Sequence, residues 1–270
     1  MKSVNKTILV CAKILAALII AGIVASAASV ISGISFFVSP KAEYEAVKSE
    51  SFEEIRSVDI SVDAAELIIR NGDLHSAETN NKNVSFSLDN GTLKIRERST
   101  FGANKDSIII VTLPSLAIYH EVDIDTGAGK VTIEDISATR FSLEVGAGDV
   151  EIDKLNVYSR TEISGGAGNI KIGDGSIHNL DLELGMGNTD IIAAIFGESE
   201  IECGVGKVNL MLRGGESLYR LACYSGLGGI KVNGQSPKSG ELIGHGANSI
   251  KIEGGVGAVN VGFEEMPIID

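Results

Sequence analysis

Carboxylates are the most numerous side chains of this chain that could carry out chemistry, with 36 Asp and Glu among 270 residues. Two carboxyl groups at a set separation and with different pKa values can hydrolyse a glycosidic bond. Asp123, Asp125, Asp149, Glu151 and Asp190 could approach one another across a stacked sheet. Sugar sites often use aromatic platforms, however, and the chain has no Trp and only five Tyr. These acids are therefore candidates for an alternative function, and we assign no catalytic residue.

The glycine-rich segments do not match a phosphate or calcium site. Gly129-Lys130 is followed by Val131, where a phosphate-binding loop needs Ser or Thr, and the segment leads into a strand instead of a helix. Ile170 stands where a calcium-binding nonapeptide repeat needs Asp. The histidines, which share no ligand spacing, are His75, His120, His178 and His245. We predict neither a metal site nor a cofactor.

The elements that position these side chains follow from a repeat of glycine triplets. The last glycines of six triplets are spaced by 19, 20, 19, 19 and 22 residues. The six triplets are Gly127-Ala128-Gly129, Gly146-Ala147-Gly148, Gly166-Ala167-Gly168, Gly185-Met186-Gly187, Gly204-Val205-Gly206 and Gly226-Leu227-Gly228. A fixed period of this length is typical of a solenoid.

Apolar and polar residues alternate on both sides of each triplet, as in Leu143-Glu144-Val145 and Val150-Glu151-Ile152. Such alternation indicates half-buried strands, and the triplet between two strands is then a corner. One coil cannot bury its own apolar side, so successive coils stack. We predict an all-β, single-stranded β-solenoid (β-helix) of about 19–20 residues per coil. An antiparallel sandwich is the alternative, but two-residue hairpin signals such as Asn71-Gly72 and Asn90-Gly91 are scarce.

Less regular copies extend the repeat in both directions, at residues 60–69, 86–95 and 252–261. We therefore predict the solenoid domain at 58–263, with inserted loops at Ser99–Lys105 and Gln235–Gly240. Residues 40–57 are predicted to be a juxtamembrane linker, in which Glu43–Arg56 forms a short helix or a linker, and 264–270 a C-terminal tail.

Residues 1–39 are predicted to be an N-terminal membrane anchor with one transmembrane helix. Lys2, Lys6 and Lys13 precede a run from Ile14 to Ser39 that has no charged residue. This run is long enough to span a bilayer, and the lysines orient the N-terminus to the cytoplasm and the repeat domain to the outside. The alternative is a signal peptide cleaved at Ala25-Ser26-Ala27. An uncleaved anchor is favoured because the apolar run continues beyond that site.

The part of the chain after the anchor is strongly acidic, since 20 basic and 36 acidic residues fall in 40–270. A domain of this charge is repelled by nucleic acid, so we expect no nucleic-acid partner. Cys203 and Cys223 occupy inward positions of the repeat and are expected to be buried thiols. A disulfide between neighbouring coils is the alternative.

Stacking also predicts a polar ladder at the position three residues after each triplet. Its members in sequence order are Thr132, Glu151, Lys171, Asp190, Asn209 and Lys231. Opposite charges then become neighbours on adjacent strands, which explains the pattern without catalysis.

The segment from Val122 to Ile133, with its Asp125-Thr126-Gly127-Ala128-Gly129 core, and the copies after it resemble a known bacterial family. Residues 91–95 and 110–114 are similar to the family's first strands. This family contains membrane-anchored proteins that carry an adhesin label, including LiaG-like envelope-stress proteins, and its domain has no established function. The resemblance covers most of residues 50–263. It implies a β-solenoid on the outer face of a Gram-positive-type membrane and supplies no catalytic residue.

We therefore expect a non-catalytic surface adhesion or interaction module in the cell membrane, linked to cell-envelope stress. Its partner is an envelope component or a protein. A polysaccharide-processing enzyme is the alternative, and an accessory of a stress-signalling system is a third class that differs only in its partner.

Overall fold

The computed structural model describes residues 44–97 and 106–264. The chain divides into two compact units, Met1–Glu45 and Ala46–Asp270, and all described strands belong to the second. The described residues contain no α-helix and one short 3-10 helix, Glu216–Leu218. Their strands are β1 (Lys48–Phe52), β2 (Ser57–Ala64), β3 (Glu66–Gly72), β4 (His75–Thr79), β5 (Val84–Asp89), β6 (Thr92–Glu97), β7 (Ile108–Pro114), β8 (Tyr119–Ala128), β9 (Val131–Ala147), β10 (Val150–Ala167), β11 (Ile170–Ile172), β12 (Gly175–His178), β13 (Leu180–Phe196), β14 (Glu198–Arg213), β15 (Tyr219–Leu227), β16 (Ile230–Val232), β17 (Leu242–Ile243), β18 (Asn248–Val256) and β19 (Val259–Glu264).

The central coils stack in parallel at the predicted period. Val150 pairs with Val131 and Ile170, which are 19 and 20 residues away, and Asp181 pairs with Glu200. Side chains that repeat along the chain therefore lie above one another in columns. The prediction of an all-β, solenoid-like repeat is confirmed for residues 44–97 and 106–264.

The coils at both ends are not stacked in the order of the sequence. The first coil, β2 and β3, lies between β6–β7 on one side and β8–β9 on the other. The last coil, β18 and β19, lies between β14 and the earlier coil formed by β15 and β16. The expectation that successive coils stack throughout is therefore wrong at both ends. The coil of β15 and β16, which we call the terminal coil, is the outermost at the C-terminal side.

Antiparallel strands cover the opposite end of the stack. Asn90 and Gly91, with φ of 50° and 79°, form the turn of a β5–β6 hairpin, so residues 86–95 are not the repeat copy that the alternation suggested. β4 pairs with β7, and β1 pairs with β4. β1 lies inside the segment that we expected to be a short helix or linker, but its antiparallel pairing with β4 makes it part of the sheet.

The core is built from inward-facing columns of branched apolar residues. One column, apolar except for Thr189, consists in spatial order of Leu67, Val131, Val150, Ile170, Thr189, Val208, Val259 and Ile230. Every member is buried. Burial of one such apolar side chain stabilises the fold by about 1.5–3 kcal/mol, so the columns hold the coils together.

Each glycine triplet forms a corner between two strands. Gly148 and Gly168 have φ of 147° and 140°, which side chains rarely adopt. The amide of Gly148 donates to the carbonyl of Ala167, and that of Gly168 to Met186, both at 2.9 Å. The corners therefore stack by backbone hydrogen bonds from coil to coil.

Three further predictions concern other parts of the chain. Gln235–Gly240 lies outside the strands, as expected of an inserted loop. Ser99–Lys105, the N-terminal anchor at 1–39 and the tail beyond Glu264 lie outside the described residues. No helix within residues 44–97 and 106–264 has the length and apolar character needed to cross a membrane.

Candidate functional site

The middle residues of the triplets form one column along the corners, which we call the corner ridge. Its members in spatial order are Ala64, Ala128, Ala147, Ala167, Met186, Val205, Val256 and Leu227. The exposed fraction rises from 37% at Met186 through 46% at Val205 and 48% at Val256 to 78% at Leu227. The ridge thus becomes larger and more exposed toward the terminal coil.

The strands before the triplets present an acidic surface, the upstream face. One column along it reads Asp125, Glu144, Ser164, Glu183, Glu202 and Glu253. Burial, with the nearby carboxylates of Glu200 and Glu253, raises the pKa of Glu202. Like charges therefore lie side by side on this face, where they oppose the stacking of the coils.

The strands after the triplets present a mixed polar surface, the downstream face. Lys171 Nζ lies 2.9 Å from Glu151 Oε1, and the amide of Asn209 donates to Asp190 at 2.6 Å. The predicted ladder of opposite charges is confirmed here. Its order differs at one point, because Asn260 lies between Asn209 and Lys231.

A second ladder on the downstream face was not predicted. The side-chain oxygen of Asp149 accepts from the backbone and side-chain amides of Asn169 at 3.0 and 2.9 Å. Asn169 accepts from Asn188 in the same way, and Asn188 accepts from the backbone of Lys207. The sequence signal is the polar residue directly after each triplet, and its role is to hold the coils in register.

The five acids proposed for polysaccharide chemistry do not form one cluster. Asp123 and Asp125 lie on the upstream face, while Asp149 belongs to the asparagine ladder. Glu151 and Asp190 share a column, but Lys171 lies between them. Its hydrogen bond lowers the pKa of Glu151. A general acid needs a raised pKa, so Glu151 is tuned in the opposite direction.

An open hollow of about 440 Å³ lies on the upstream face, lined in part by Arg160, Asp181, Glu200, Ser249 and Lys251. Three acids line it, and two of them are paired with bases: Arg160 lies 3.6 Å from Asp181, and Lys251 lies 2.6 Å from Glu200, while the third is Glu198. The hollow can therefore offer hydrogen bonds to a polar surface, but it holds no isolated pair of acids.

Two of the four histidines have contacts that give them a structural role. His75 Nε2 lies 3.1 Å from the hydroxyl of Tyr119, and burial lowers the pKa of this histidine. His178 stacks on Phe196 with ring centroids 4.9 Å apart. No group of three or more metal-ligating side chains occurs in the described part of the chain.

Cys203 and Cys223 are free, buried thiols, as expected. They do not belong to neighbouring coils, because β18 lies between them: Cys203 pairs with Gly254 and Cys223 with Ile252. Two strand spacings separate their strands by roughly 9.6 Å, which exceeds the reach of a disulfide. The alternative of a disulfide between neighbouring coils is therefore wrong.

Comparison with known proteins defines the class. A family described as Toastrack DUF4097 matches residues 54–226, well over half of the chain. The chain belongs to this family, which confirms the resemblance drawn from the repeat. The search of curated proteins found no match to this chain.

Several solved structures are similar to the chain. A "putative cell adhesion protein" from Clostridium sporogenes is 14% identical, covers 82% of this chain and 100% of its own, and has a TM-score of 0.32. A "putative adhesin" from Bacteroides fragilis is 14% identical, covers 83% of this chain and 100% of its own, and has a TM-score of 0.42. A "putative lipid binding protein" from Parabacteroides distasonis is 16% identical, covers 80% of this chain and 96% of its own, and has a TM-score of 0.37.

Proposed function

We propose that this protein is a single-pass membrane protein whose extracytoplasmic solenoid is a non-catalytic adhesion or interaction module of the cell envelope. The observation that carries the proposal is the arrangement of charges on two open faces. Glu151 is paired with Lys171, and Glu200 with Lys251. Repeated polar groups at strand spacing suit contact with an extended partner, because the binding surface continues from coil to coil.

The polysaccharide-processing alternative has less support. Its five candidate acids are divided between two faces, and the pKa of Glu151 is lowered. Glycosidases need one acid that stays protonated near neutral pH and a second carboxylate at a set distance. An accessory role in envelope-stress signalling would use the same surfaces with a different partner, and neighbouring genes would discriminate it.

The test uses the full chain in membrane vesicles, mixed with purified envelope polysaccharide of the producing bacterium. We expect the polysaccharide to sediment with the vesicles and to acquire no new reducing ends. Vesicles without the protein are the control. New reducing ends that disappear in Glu151→Gln or Asp190→Asn would establish the enzyme instead. If neither the polysaccharide nor any cross-linked envelope protein associates with the vesicles, the interaction module is rejected.

The proposed topology has a separate test. The continuation of the apolar run beyond Ala27 motivates an uncleaved anchor, and the lysines that precede the run favour a cytoplasmic N-terminus. The membrane-fraction protein should keep its N-terminus, and a tag after Asp270 should be accessible to protease in intact cells. A mature chain that begins at Ala28 would show that the N-terminal segment is a cleaved signal peptide and not an anchor.

A further inference from the structure

The outer side of the terminal coil carries open backbone groups. The amide and carbonyl of Val232 both bond to Gln235 at 2.9 Å on this side. Every second residue of a strand directs its backbone amide and carbonyl to the same side of the strand. The amide and carbonyl of Ile230, two residues before Val232, therefore also point to the outer side of the terminal coil. Among the described residues, no strand pairs with this side of Ile230. An open edge of this kind can accept an added strand.

The two ends of the stack differ in how far they are covered. At one end β5 pairs with all six residues of β6, from Thr92 to Glu97. On the terminal coil β17 pairs only with Leu221 and Ala222, and Gly240 bonds to the carbonyl of Cys223. The corner from Leu227 to Ile230 lies beyond this cover. The opening is therefore local to one corner of the outermost coil.

Apolar surface lies directly beside the open edge. Leu227 is 78% exposed, and the corner ridge continues from it to Val256, Val205 and Met186. Adjacent members are about 4.8 Å apart, so these four side chains form a strip roughly 14 Å long. This strip runs from Leu227 inward along the stack, so a strand added on the outer side of Ile230 would place a side chain against Leu227, at the outer end of the strip.

The charge around the corner is opposite to that of the chain. Residues 216–241 contain three basic residues and two acids, Glu216 and Glu241, a net charge of +1 in a chain whose net charge is −13. Lys231 and Lys238 belong to this segment, and both are exposed. Carboxylates are therefore attracted to this corner and repelled by the upstream face.

We propose that this corner binds an extended acidic peptide segment of a partner protein by strand addition. The peptide backbone pairs with Ile230, an apolar side chain packs against Leu227, and carboxylates lie near Lys231 and Lys238. A second copy of the chain fits less well, because a twofold contact would bring equivalent lysines together. The proposal deepens the proposed interaction function and rests on it, since it names a class of partner.

The test measures fluorescence anisotropy with the full chain in detergent. The probe is a labelled seven-residue peptide in which glutamate and valine alternate, and the comparison peptide has lysine in place of glutamate. We expect saturable binding of the acidic peptide, at least tenfold tighter than the basic one. The net charge of the chain alone favours the opposite order, so equal binding or a preference for the basic peptide overturns the proposal.

Variants locate the binding. Leu227→Asp and Lys231→Glu should each weaken binding of the acidic peptide at least tenfold. Leu116→Asp and Lys82→Glu are matched controls, because Leu116 is 95% exposed and Lys82 is exposed on a distant coil. Thermal melting checks that all four variants fold. Unchanged binding in Leu227→Asp would overturn the proposal.

Two further outcomes separate the alternatives. If the full chain forms dimers that Leu227→Asp dissociates, the occupant is a second copy and the peptide proposal fails. The vesicle sedimentation experiment uses no peptide, so retention of envelope material without peptide binding would reject only the corner site. Loss of both would reject the interaction module itself.

Discussion

A Cβ atom added to Gly168 would lie 1.8 Å from the carbonyl oxygen of Gly148 in the preceding coil. The same relationship holds one coil earlier, where a Cβ on Gly148 would lie 1.7 Å from the carbonyl oxygen of Gly129. The obstacle is backbone, which cannot rotate away as a side chain can. The triplets therefore set the closest approach of one coil to the next.

Replacing both Gly148 and Gly168 with Val should destabilise the domain by several kcal/mol. Each residue has a positive φ, and such strained positions cost ~1–3 kcal/mol each for a residue with a side chain. Thermal melting of the double variant measures the effect. Gly229→Ala is the control, because a Cβ there meets nothing within 4 Å. Unchanged melting of the double variant would show that the corners tolerate side chains.

The coil geometry could be predicted from sequence because it depends on local alternation. Val150-Glu151-Ile152 already shows which side chains face inward. The order of the end coils could not be predicted in this way. Val208 pairs with Val259, which is 51 residues away, with the same inward pattern as a pair 19 residues apart. Alternation fixes the register of two strands but does not identify which strands are neighbours.

The candidate surfaces were only partly predictable. The charge ladder followed from the spacing of Glu151 and Lys171, which become neighbours once the coils stack. The corner ridge was visible as a change from Ala147 to Met186 and Leu227, but its exposure depends on the direction of the corner side chains. The open edge depends on which coil is outermost, and this follows from the end order that the sequence does not show.

Lys171→Glu should lower the melting temperature because it places a carboxylate between Glu151 and Asp190. Like charges in adjacent strands repel, and salt screens the repulsion, so the loss should be smaller at 1 M salt than at 0.05 M. Lys82→Glu makes the same charge change outside the ladder. Equal losses in the two variants would show that net charge, and not the ladder, is responsible.

Glu202→Gln should stabilise the domain at neutral pH. Burial raises the pKa of Glu202 above its ordinary value of 4.5, so the folded protein binds this proton more tightly than the unfolded chain. Stability then falls as the pH rises through the folded pKa, and the variant avoids this loss. We expect a higher melting temperature than the parent at pH 7 and no difference below pH 4.5. A gain of equal size at both pH values would contradict the assignment to Glu202. Glu144→Gln, on the same column but more exposed, is the matched control.

Cys203 and Cys223 should be unreactive in the folded protein and should not form a disulfide. Burial raises the pKa of Cys223 to about 11. At pH 8 the thiolate fraction of Cys223 is then roughly 200-fold lower than that of a free cysteine. Since only the thiolate is alkylated, the folded protein should react slowly at this position. A Cys11→Ser variant leaves only these two thiols. Iodoacetamide at pH 8 should modify neither thiol in the native state and both in denaturant. Oxidation should leave both free, since β18 separates their strands; an intramolecular disulfide would contradict the order of the last three coils.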